Sequence, residues 1–227
     1  MGVADRAPAL LLAHELYRFF HDEDEETFAL RGVSMTVASG EMVAVVGPSG
    51  SGKSTLLACL AGLDEPDGGH VAVAGHRITR RPEKQRSALR ARWIGMLLQS
   101  GNLIEHLSVA QNIRAAKAMV PDASGPPASE LLASLELADR ASARPSTLSG
   151  GEQARAGLAV ALANDPPVLL ADEPTGEVDR DVETDVLALL RGRTDAGGAV
   201  VVVTHNDRVA GEADRVLHLA DGGFAND

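Results

Sequence analysis

A glycine-rich segment at residues 47–54 restricts the possible folds of this chain more than any other part of the sequence. Its sequence, GPSGSGKS, matches the pattern G-x-x-x-x-G-K-[ST] in full. An apolar run at 42–46 precedes it and a helix-compatible run at 55–61 follows it. A strand, a glycine-rich loop and a helix in this order form the context in which the pattern makes a phosphate-binding P-loop. A chance match in a glycine-rich turn is the alternative, and the two flanking runs argue against it.

The residue types of this loop suit a polyphosphate. Glycines let the backbone curl so that successive N–H groups converge on one phosphate, and the following helix adds its positive N-terminal end. Lys53 is expected to reach the β- and γ-phosphates, and the Ser54 hydroxyl is expected to bind Mg²⁺. The residues predicted to surround the phosphates are Gly47, Pro48, Ser49, Gly50, Ser51, Gly52, Lys53, Ser54 and Thr55.

Composition narrows the class of protein. A length of 227 residues allows one large α/β domain or a core with one inserted lobe. The formal net charge of −11 and the 44% of hydrophobic residues are typical of a soluble, globular chain with a sizeable core. The acidic balance argues against a nucleic-acid partner, because phosphate backbones bind basic faces. Cys59 is the only cysteine, so no internal disulfide can form, and a reducing, cytoplasmic location is expected.

The sequence predicts no membrane-spanning segment. No apolar run approaches the roughly 20 residues that a bilayer requires, and the run at 200–203 has the length of a buried strand. The first residues lack a signal-peptide pattern, since Asp5 and Arg6 precede a short apolar run that soon meets His14. Contact with a membrane is therefore expected to come through a partner.

The predicted strands and helices alternate along the chain. Near-continuous apolar strands between helices indicate a parallel sheet covered on both faces. The acidic segment 21–26 is predicted to be a solvated hairpin loop, because it lacks the glycine and the alternating spacing of an EF-hand Ca²⁺ site. The first predicted strand ends near residue 20. The other predicted strands span 27–37, 42–46, 70–74, 93–98, 168–171, 199–203 and 215–219. The predicted helices span 55–61, 80–92, 109–120, 129–137, 152–163, 181–191 and 207–212.

The segment from about 100 to 149 differs in composition from its surroundings. Its two predicted helices flank a linker rich in Pro, Gly and Ser at 121–127. We therefore expect a single domain over 1–227. Its core is formed by about 1–99 and 150–227, with a helical subdomain inserted at about 100–149.

Two carboxylates follow the apolar strand at 168–171. The carboxyl ends of strands in an open parallel sheet face the ligand crevice, so Asp172 and Glu173 are predicted to lie near the P-loop. Asp172 then has the Walker-B role of holding Mg²⁺, and Glu173 is placed to polarise an attacking water. A surface Asp-Glu pair before Pro174 is the alternative, which the upstream P-loop disfavours.

The segment Ser149-Gly150-Gly151-Glu152 opens a predicted helix. Ser149 and Glu152 have the spacing of a capping box, which is by itself a sufficient structural reason for both residues. The functional alternative is a second phosphate-binding helix N-terminus. Two phosphate sites in one chain require two nucleotides, or a second subunit that shares them.

Taken together, these motifs resemble those of the ATP-binding-cassette (ABC) ATPases over almost the whole chain. The resemblance implies ATP hydrolysis with Mg²⁺. It also implies a core with a mostly parallel sheet, an N-terminal antiparallel β-subdomain and an inserted α-helical subdomain. The motifs that carry it, in the family's order, are the P-loop, Gln99, the signature 148–152, the segment 172–175, Asp179 and His205.

The resemblance also implies a head-to-tail homodimer, or a pair with a second cassette. Each ATP would lie between one P-loop and the signature residues Ser149, Gly150, Gly151 and Glu152 of the other subunit. Asp179 matches the aspartate that crosses the dimer interface. Phe20 falls where the family usually has a tyrosine that stacks on adenine, and nearby Tyr17 is the alternative.

Three further residues match catalytic positions of the family. Gln99 corresponds to the glutamine that contacts Mg²⁺ and senses the attacking water, Glu173 to the catalytic carboxylate, and His205 to the histidine that contacts the γ-phosphate. The signature departs from the pattern, because it ends in Glu152 where glutamine is commoner. Val178 and Val160 also replace a usual leucine and a frequent arginine. These departures bear on the hydrolysis rate and the dimer affinity.

Within the family, residues 30–34, 101–104 and 171–176 are most similar to the group that serves lipoprotein release, macrolide efflux and cell division. This similarity implies an ATPase subunit on the inner face of the membrane that drives a separate permease of unspecified substrate. One alternative is a non-transport ABC ATPase that acts on DNA or ribosomes, whose relatives usually carry coiled coils, zinc modules or two cassettes. The other is a non-hydrolysing regulator, which Glu173 and His205 argue against.

A short apolar set follows Gln99. Leu103, Ile104 and Leu107 lie in a predicted loop between polar residues. Our hypothesis is that they line a groove for a short helix of the permease. The alternative is that they fill the small core of the helical segment.

Overall fold

A computed structural model of the chain describes residues 9–22, 25–123, 125–176 and 180–225. Within these residues the chain forms ten strands, seven α-helices and two short 3-10 helices. The strands are β1 (Ala9–Asp22), β2 (Glu25–Ala38), β3 (Met42–Val46), β4 (Gly68–Val73), β5 (His76–Arg77), β6 (Ile94–Leu97), β7 (Val168–Asp172), β8 (Ala199–Val203), β9 (Arg215–Ala220) and β10 (Gly223–Phe224). The helices are α1 (Lys53–Leu60), α2 (Glu83–Trp93), α3 (Val109–Ala118), α4 (Ala128–Ser134), α5 (Gly150–Ala161), α6 (Arg180–Asp195) and α7 (Asp207–Gly211).

The larger sheet is mostly parallel, as predicted. Its strand order is β10-β9-β3-β8-β7-β6, and all neighbouring pairs except β10–β9 are parallel. Every residue of β8 is buried, as are the first four residues of β3 and of β7, because helices or the second sheet cover both faces. The sequence did not predict β10, since two residues carry no periodic pattern.

The smaller sheet is antiparallel and has the order β2-β1-β4-β5. Alternate side chains of β1, including Leu11, Ala13 and Leu16, are buried against the core. A register shift after Ala13 breaks the alternation, and Glu15 has a φ of 47° there. The bulge keeps the buried side chains on the inner face.

The predicted hairpin loop at 21–26 is too long. β1 continues to Asp22 and β2 starts at Glu25, and these two residues are register partners. Strand pairing uses backbone groups, so it can run through acidic residues that a side-chain pattern assigns to a loop. The part of this prediction that concerns Glu23 and Asp24 lies outside the described residues.

The strands of the parallel sheet separate two apolar clusters. Val201 and Val203 of β8 pack into the cluster that holds α1 and the antiparallel sheet. Val200 and Val202 pack into the cluster formed with α3, α4, α5 and α6. The helices between β6 and β7 therefore cover the face of the parallel sheet opposite to the antiparallel sheet.

The structure also bears on membrane insertion. No helix among the described residues is both long enough and apolar enough to cross a bilayer. The subdivision of the chain at about residues 100 and 149 stays a prediction.

Candidate nucleotide-binding site

The loop between β3 and α1 has the close backbone approaches that demand glycine. A Cβ on Gly47 would lie 2.1 Å from the Leu219 carbonyl oxygen, and one on Gly52 would lie 2.2 Å from the Ala29 carbonyl oxygen. Gly52 also has a φ of +102°, in the left-handed region. Because β9 and β2 press against it, the loop is held in shape by tertiary contacts.

The polar groups of this loop face the hollow that the loop itself encloses. Lys53 Nζ donates to the carbonyl oxygens of Gly47 and Pro48, at 2.8 Å each. Ser51 is buried, and its Oγ has no hydrogen-bond partner in the described chain. Gly52 caps α1 without a side-chain hydrogen bond, so the first N–H groups of α1 keep their donor capacity for an anion. A cradle of this kind fits a phosphate group.

Asp172 and Glu173 follow each other at the carboxyl end of β7. Asp172 is half-buried, and its pKa is raised above the usual value by burial and then by the neighbouring Glu173 charge, while Lys53 acts in the opposite direction. A cation bound at Asp172 would stabilise the ionised carboxylate and so offset both the burial and the repulsion by Glu173. Asp172 pairs in register with Val203 of β8. Because β8 lies between β7 and β3, a single strand separates the two carboxylates from the strand that leads into the glycine-rich loop.

Glu173 has two side-chain partners from the segment after β8. Thr204 Oγ1 donates to Glu173 Oε2 at 3.0 Å, and His205 Nδ1 lies 2.6 Å from Glu173 Oε1. The Glu173 side chain is 14% exposed and the His205 side chain 76% exposed. Glu173 and His205, each matched separately to a catalytic position of the family, are therefore in direct contact. Neither this contact nor Thr204 as a partner was indicated by the sequence patterns.

Gln99 lies just beyond the end of β6, in a loop held by Asn102. Asn102 Oδ1 accepts from the Leu98 backbone N–H at 2.7 Å, and Asn102 Nδ2 donates to the Leu98 carbonyl at 2.6 Å. A cavity of about 220 Å³ brings Gln99, Glu173 and Gly150 together. In the sequence Asn102 stood out only as part of a family motif, although asparagine in a turn commonly hydrogen-bonds the nearby backbone.

The signature segment begins α5 two residues earlier than predicted. Ser149 is the N-cap: its Oγ accepts from the Glu152 N–H at 3.2 Å, and Glu152 Oε2 accepts from the Ser149 N–H at 2.8 Å. The predicted capping box is thus confirmed. Gly150 and Gly151 therefore belong to the first turn of the helix. A Cβ on Gly151 would lie 2.5 Å from Val182 Cγ2, so α6 packs against this turn.

The two candidates for adenine stacking differ in their surroundings. Phe20 and Tyr17 are both 43% exposed. The Tyr17 ring lies over two glycines of the sheet, since a Cβ on Gly32 or Gly68 would come within 2.9 Å or 3.0 Å of the Tyr17 side chain. The Arg18 guanidinium carbon lies 4.5 Å from the Phe20 ring centroid, so a cation–π contact supports that ring. Asp179 lies outside the described residues.

The parallel sheet, the glycine-built phosphate cradle and the adjacent carboxylates define a nucleoside-triphosphatase of the P-loop class. The family model described as ABC transporter matches residues 30–176. The chain belongs to this family, in which it is an ATPase subunit. The resemblance inferred from the motifs is confirmed.

Relatives with known names support this assignment. The lipoprotein-releasing system ATP-binding protein LolD of Maricaulis maris is 46% identical over 209 residues, which cover 90% of this chain and 91% of the relative. The macrolide export ATP-binding/permease protein MacB of Hyphomonas neptunium is 38% identical, and the match covers 97% of this chain but 35% of that relative. Two dimeric structures of the cassette MJ0796, one in a post-hydrolysis state with ADP and Pi, match with a TM-score of 0.87 at 32% and 31% identity; each match covers 95% of this chain and 97% of the other. These likenesses do not favour a non-transport ATPase or a regulator.

Proposed function

We propose that two copies of this chain enclose two ATP molecules with Mg²⁺, hydrolyse the ATP and thereby drive a separate membrane permease from its cytoplasmic side. The observation that carries the proposal is the convergence of the P-loop, Asp172 and the Glu173–His205 contact at the carboxyl ends of neighbouring parallel strands. The likeness to LolD over nearly the full length of both chains supports a separate permease as the partner.

Phosphate binding is proposed for residues 47–55. Lys53 Nζ would exchange the Gly47 and Pro48 carbonyl oxygens for oxygens of the β- and γ-phosphates, so the loop needs no refolding. The backbone N–H groups of the loop and of the first turn of α1 would surround the β-phosphate.

Ser54, Asp172 and Gln99 are proposed to hold Mg²⁺, directly or through its bound water. A hydroxyl, a carboxylate and an amide oxygen form the hard donor set that Mg²⁺ prefers. The raised pKa of Asp172 fits this role, because a cation compensates the burial of the carboxylate beside Glu173. When bound, Mg²⁺ would neutralise part of the phosphate charge.

Glu173 is the proposed general base. The attacking water would form a bond to the γ-phosphorus and give its proton to Glu173, while the bond between the γ-phosphorus and its bridging oxygen to the β-phosphate breaks to leave ADP. In the described arrangement His205 and Thr204 hold the Glu173 carboxylate. The exposed His205 ring is free to turn toward a γ-phosphate, which would release one oxygen of Glu173 for the water.

Dimerisation completes each site in this proposal. The first turn of α5, with Ser149, Gly150, Gly151 and Glu152, would bind the γ-phosphate of the ATP on the other copy. Asp179 would lie at the interface between the copies. The segment at about 100–149 is proposed as a helical subdomain that moves with this turn, since its boundary at Gln99 and the turn line one cavity with Glu173.

Adenine is proposed to stack on Phe20. We expect Phe20→Leu to weaken ATP binding about tenfold, because base stacking on an aromatic ring contributes roughly 1–3 kcal/mol. Binding of inorganic tripolyphosphate, which has no base, should be unchanged. Isothermal titration of both ligands measures the difference. Tyr17→Leu is the matched control, and a loss confined to that variant would assign the stacking to Tyr17.

A permease helix is proposed to dock near Ile104. Leu103 packs against the core cluster and Leu107 is half-buried, whereas Ile104 is 47% exposed. The core alternative therefore fits Leu103, and Ile104 is the better position to test. We expect Ile104→Glu to lose co-purification of membrane proteins from detergent extracts without a change in melting temperature. Leu63→Glu, at a side chain 51% exposed, is the control. Retention of the same membrane proteins by Ile104→Glu would contradict the docking site.

A further inference from the structure

Glu152 places a carboxylate in the turn that is proposed to bind a phosphate. Its Oε2 accepts the Ser149 N–H at 2.8 Å, and its Oε1 accepts Arg140 Nε at 2.6 Å. The Ser149 N–H and then Arg140 lower the pKa of Glu152 to about 2, so the carboxylate is ionised throughout the working pH range. An anion here occupies the positive end of α5 and repels a second anion.

Arg140 reaches Glu152 from a separate, well-anchored turn. It ends the 3-10 helix Ala138–Arg140, twelve residues before Glu152. The N–H groups of Val109 and Ala110 at the start of α3 donate to the carbonyl oxygens of Ala143 and Ala141, which fixes this turn to α3. The turn that carries Arg140 is therefore anchored to α3, separately from the first turn of α5.

A purely structural salt bridge does not account well for this pair. The Glu152 side chain is 17% exposed but the Arg140 side chain is 54% exposed, and an ion pair whose cation lies in solvent contributes little to folding stability. Its Nε bond to Glu152 is the only side-chain hydrogen bond that Arg140 makes within the described ranges. The two terminal nitrogens of the guanidinium thus remain available to an anion that approaches the turn.

We propose that Arg140 is a positioning residue that neutralises Glu152, so that the first turn of α5 in one copy can accept the γ-phosphate of ATP on the other copy. The proposal rests on the proposed function, because it assumes the shared ATP site. Its specific content is that the need for Arg140 arises from the charge of Glu152.

Removal of that charge should therefore remove the need for Arg140. The Glu152→Gln change can keep the capping box, since the amide oxygen also accepts from the Ser149 N–H. In a Glu173→Gln background, which slows hydrolysis, we expect Arg140→Met to weaken ATP-dependent dimerisation about tenfold. We expect Arg140→Met combined with Glu152→Gln to dimerise like the Glu173→Gln parent. Sedimentation velocity with ATP and Mg²⁺ measures each dimer affinity.

Three comparisons make the outcome decisive. Arg92→Met, which breaks the exposed pair of Arg92 Nη1 with Asp122 at 2.9 Å, is the control for loss of a surface arginine and should leave dimerisation unchanged. If Arg140→Met weakens dimerisation equally with and without the Glu152→Gln change, the role of Arg140 is structural and the inference is overturned. Undiminished dimerisation of Arg140→Met also overturns it. If the Glu173→Gln parent itself stays monomeric, the shared-site function fails and the inference falls with it. Melting curves and monomer ATP affinity, expected to be unchanged, exclude misfolding as the cause of a loss.

Discussion

Glu173→Gln is expected to bind ATP as tightly as the unmodified chain and to hydrolyse it roughly 100-fold or more slowly, because an amide cannot take the proton of the attacking water. The amide can still accept a hydrogen bond from Thr204 Oγ1, so the site should keep its shape. With ATP and Mg²⁺ the variant should elute from gel filtration as a dimer, since the enclosed nucleotide is no longer consumed. Steady-state phosphate release and elution volume are the two measurements.

The matched control for this variant is Glu105→Gln. Glu105 lines the same cavity as Glu173 and undergoes the same change of charge, but no role in the chemistry is proposed for it. Its phosphate release should stay within about twofold of the unmodified chain. Full activity of Glu173→Gln would remove Glu173 as the base. A monomer at every accessible concentration would contradict the shared ATP sites.

Lys53→Ala is expected to raise the dissociation constant for ATP about 100-fold and to abolish hydrolysis, because charge-assisted hydrogen bonds to the phosphates are lost. Among the described residues, the only hydrogen-bond acceptors of Lys53 Nζ are the carbonyl oxygens of Gly47 and Pro48. The melting temperature without nucleotide should therefore change little. The increase in melting temperature that ATP produces in the unmodified chain should disappear.

Lys84→Ala is the control for Lys53, since Lys84 is an exposed lysine of α2, and it should retain the thermal shift with ATP. Calorimetry with and without ATP measures both variants. A Lys53→Ala chain that hydrolyses ATP within a few-fold of the normal rate would refute the assignment of the P-loop. A large drop in its melting temperature without nucleotide would instead show that Lys53 mainly stabilises the loop.

Patterns that depend on near neighbours in the chain were predictable. The P-loop, the buried strands β3, β7 and β8, and the capping box of Ser149 and Glu152 were recognised because loop geometry, apolar runs and helix capping are set within a few residues. The family motifs extended this prediction to Gln99, Glu173 and His205. Element ends were less certain: β1 runs on to Asp22 and α5 starts at Gly150, since pairing and packing decide where an element stops.

Patterns in the sequence predicted the class of fold, a phosphate-binding loop and the types of residue at the candidate site. Which of those residues touch depends on how distant segments fold together: Glu173 contacts Thr204 and His205, and Glu152 contacts Arg140. The partners in the first set are 31 and 32 positions apart, and no local pattern encodes a contact over that separation. Such contacts follow from the order of strands in a sheet and from turns pinned to distant helices. For the same reason, the charge balance at the signature turn became visible only in the folded chain.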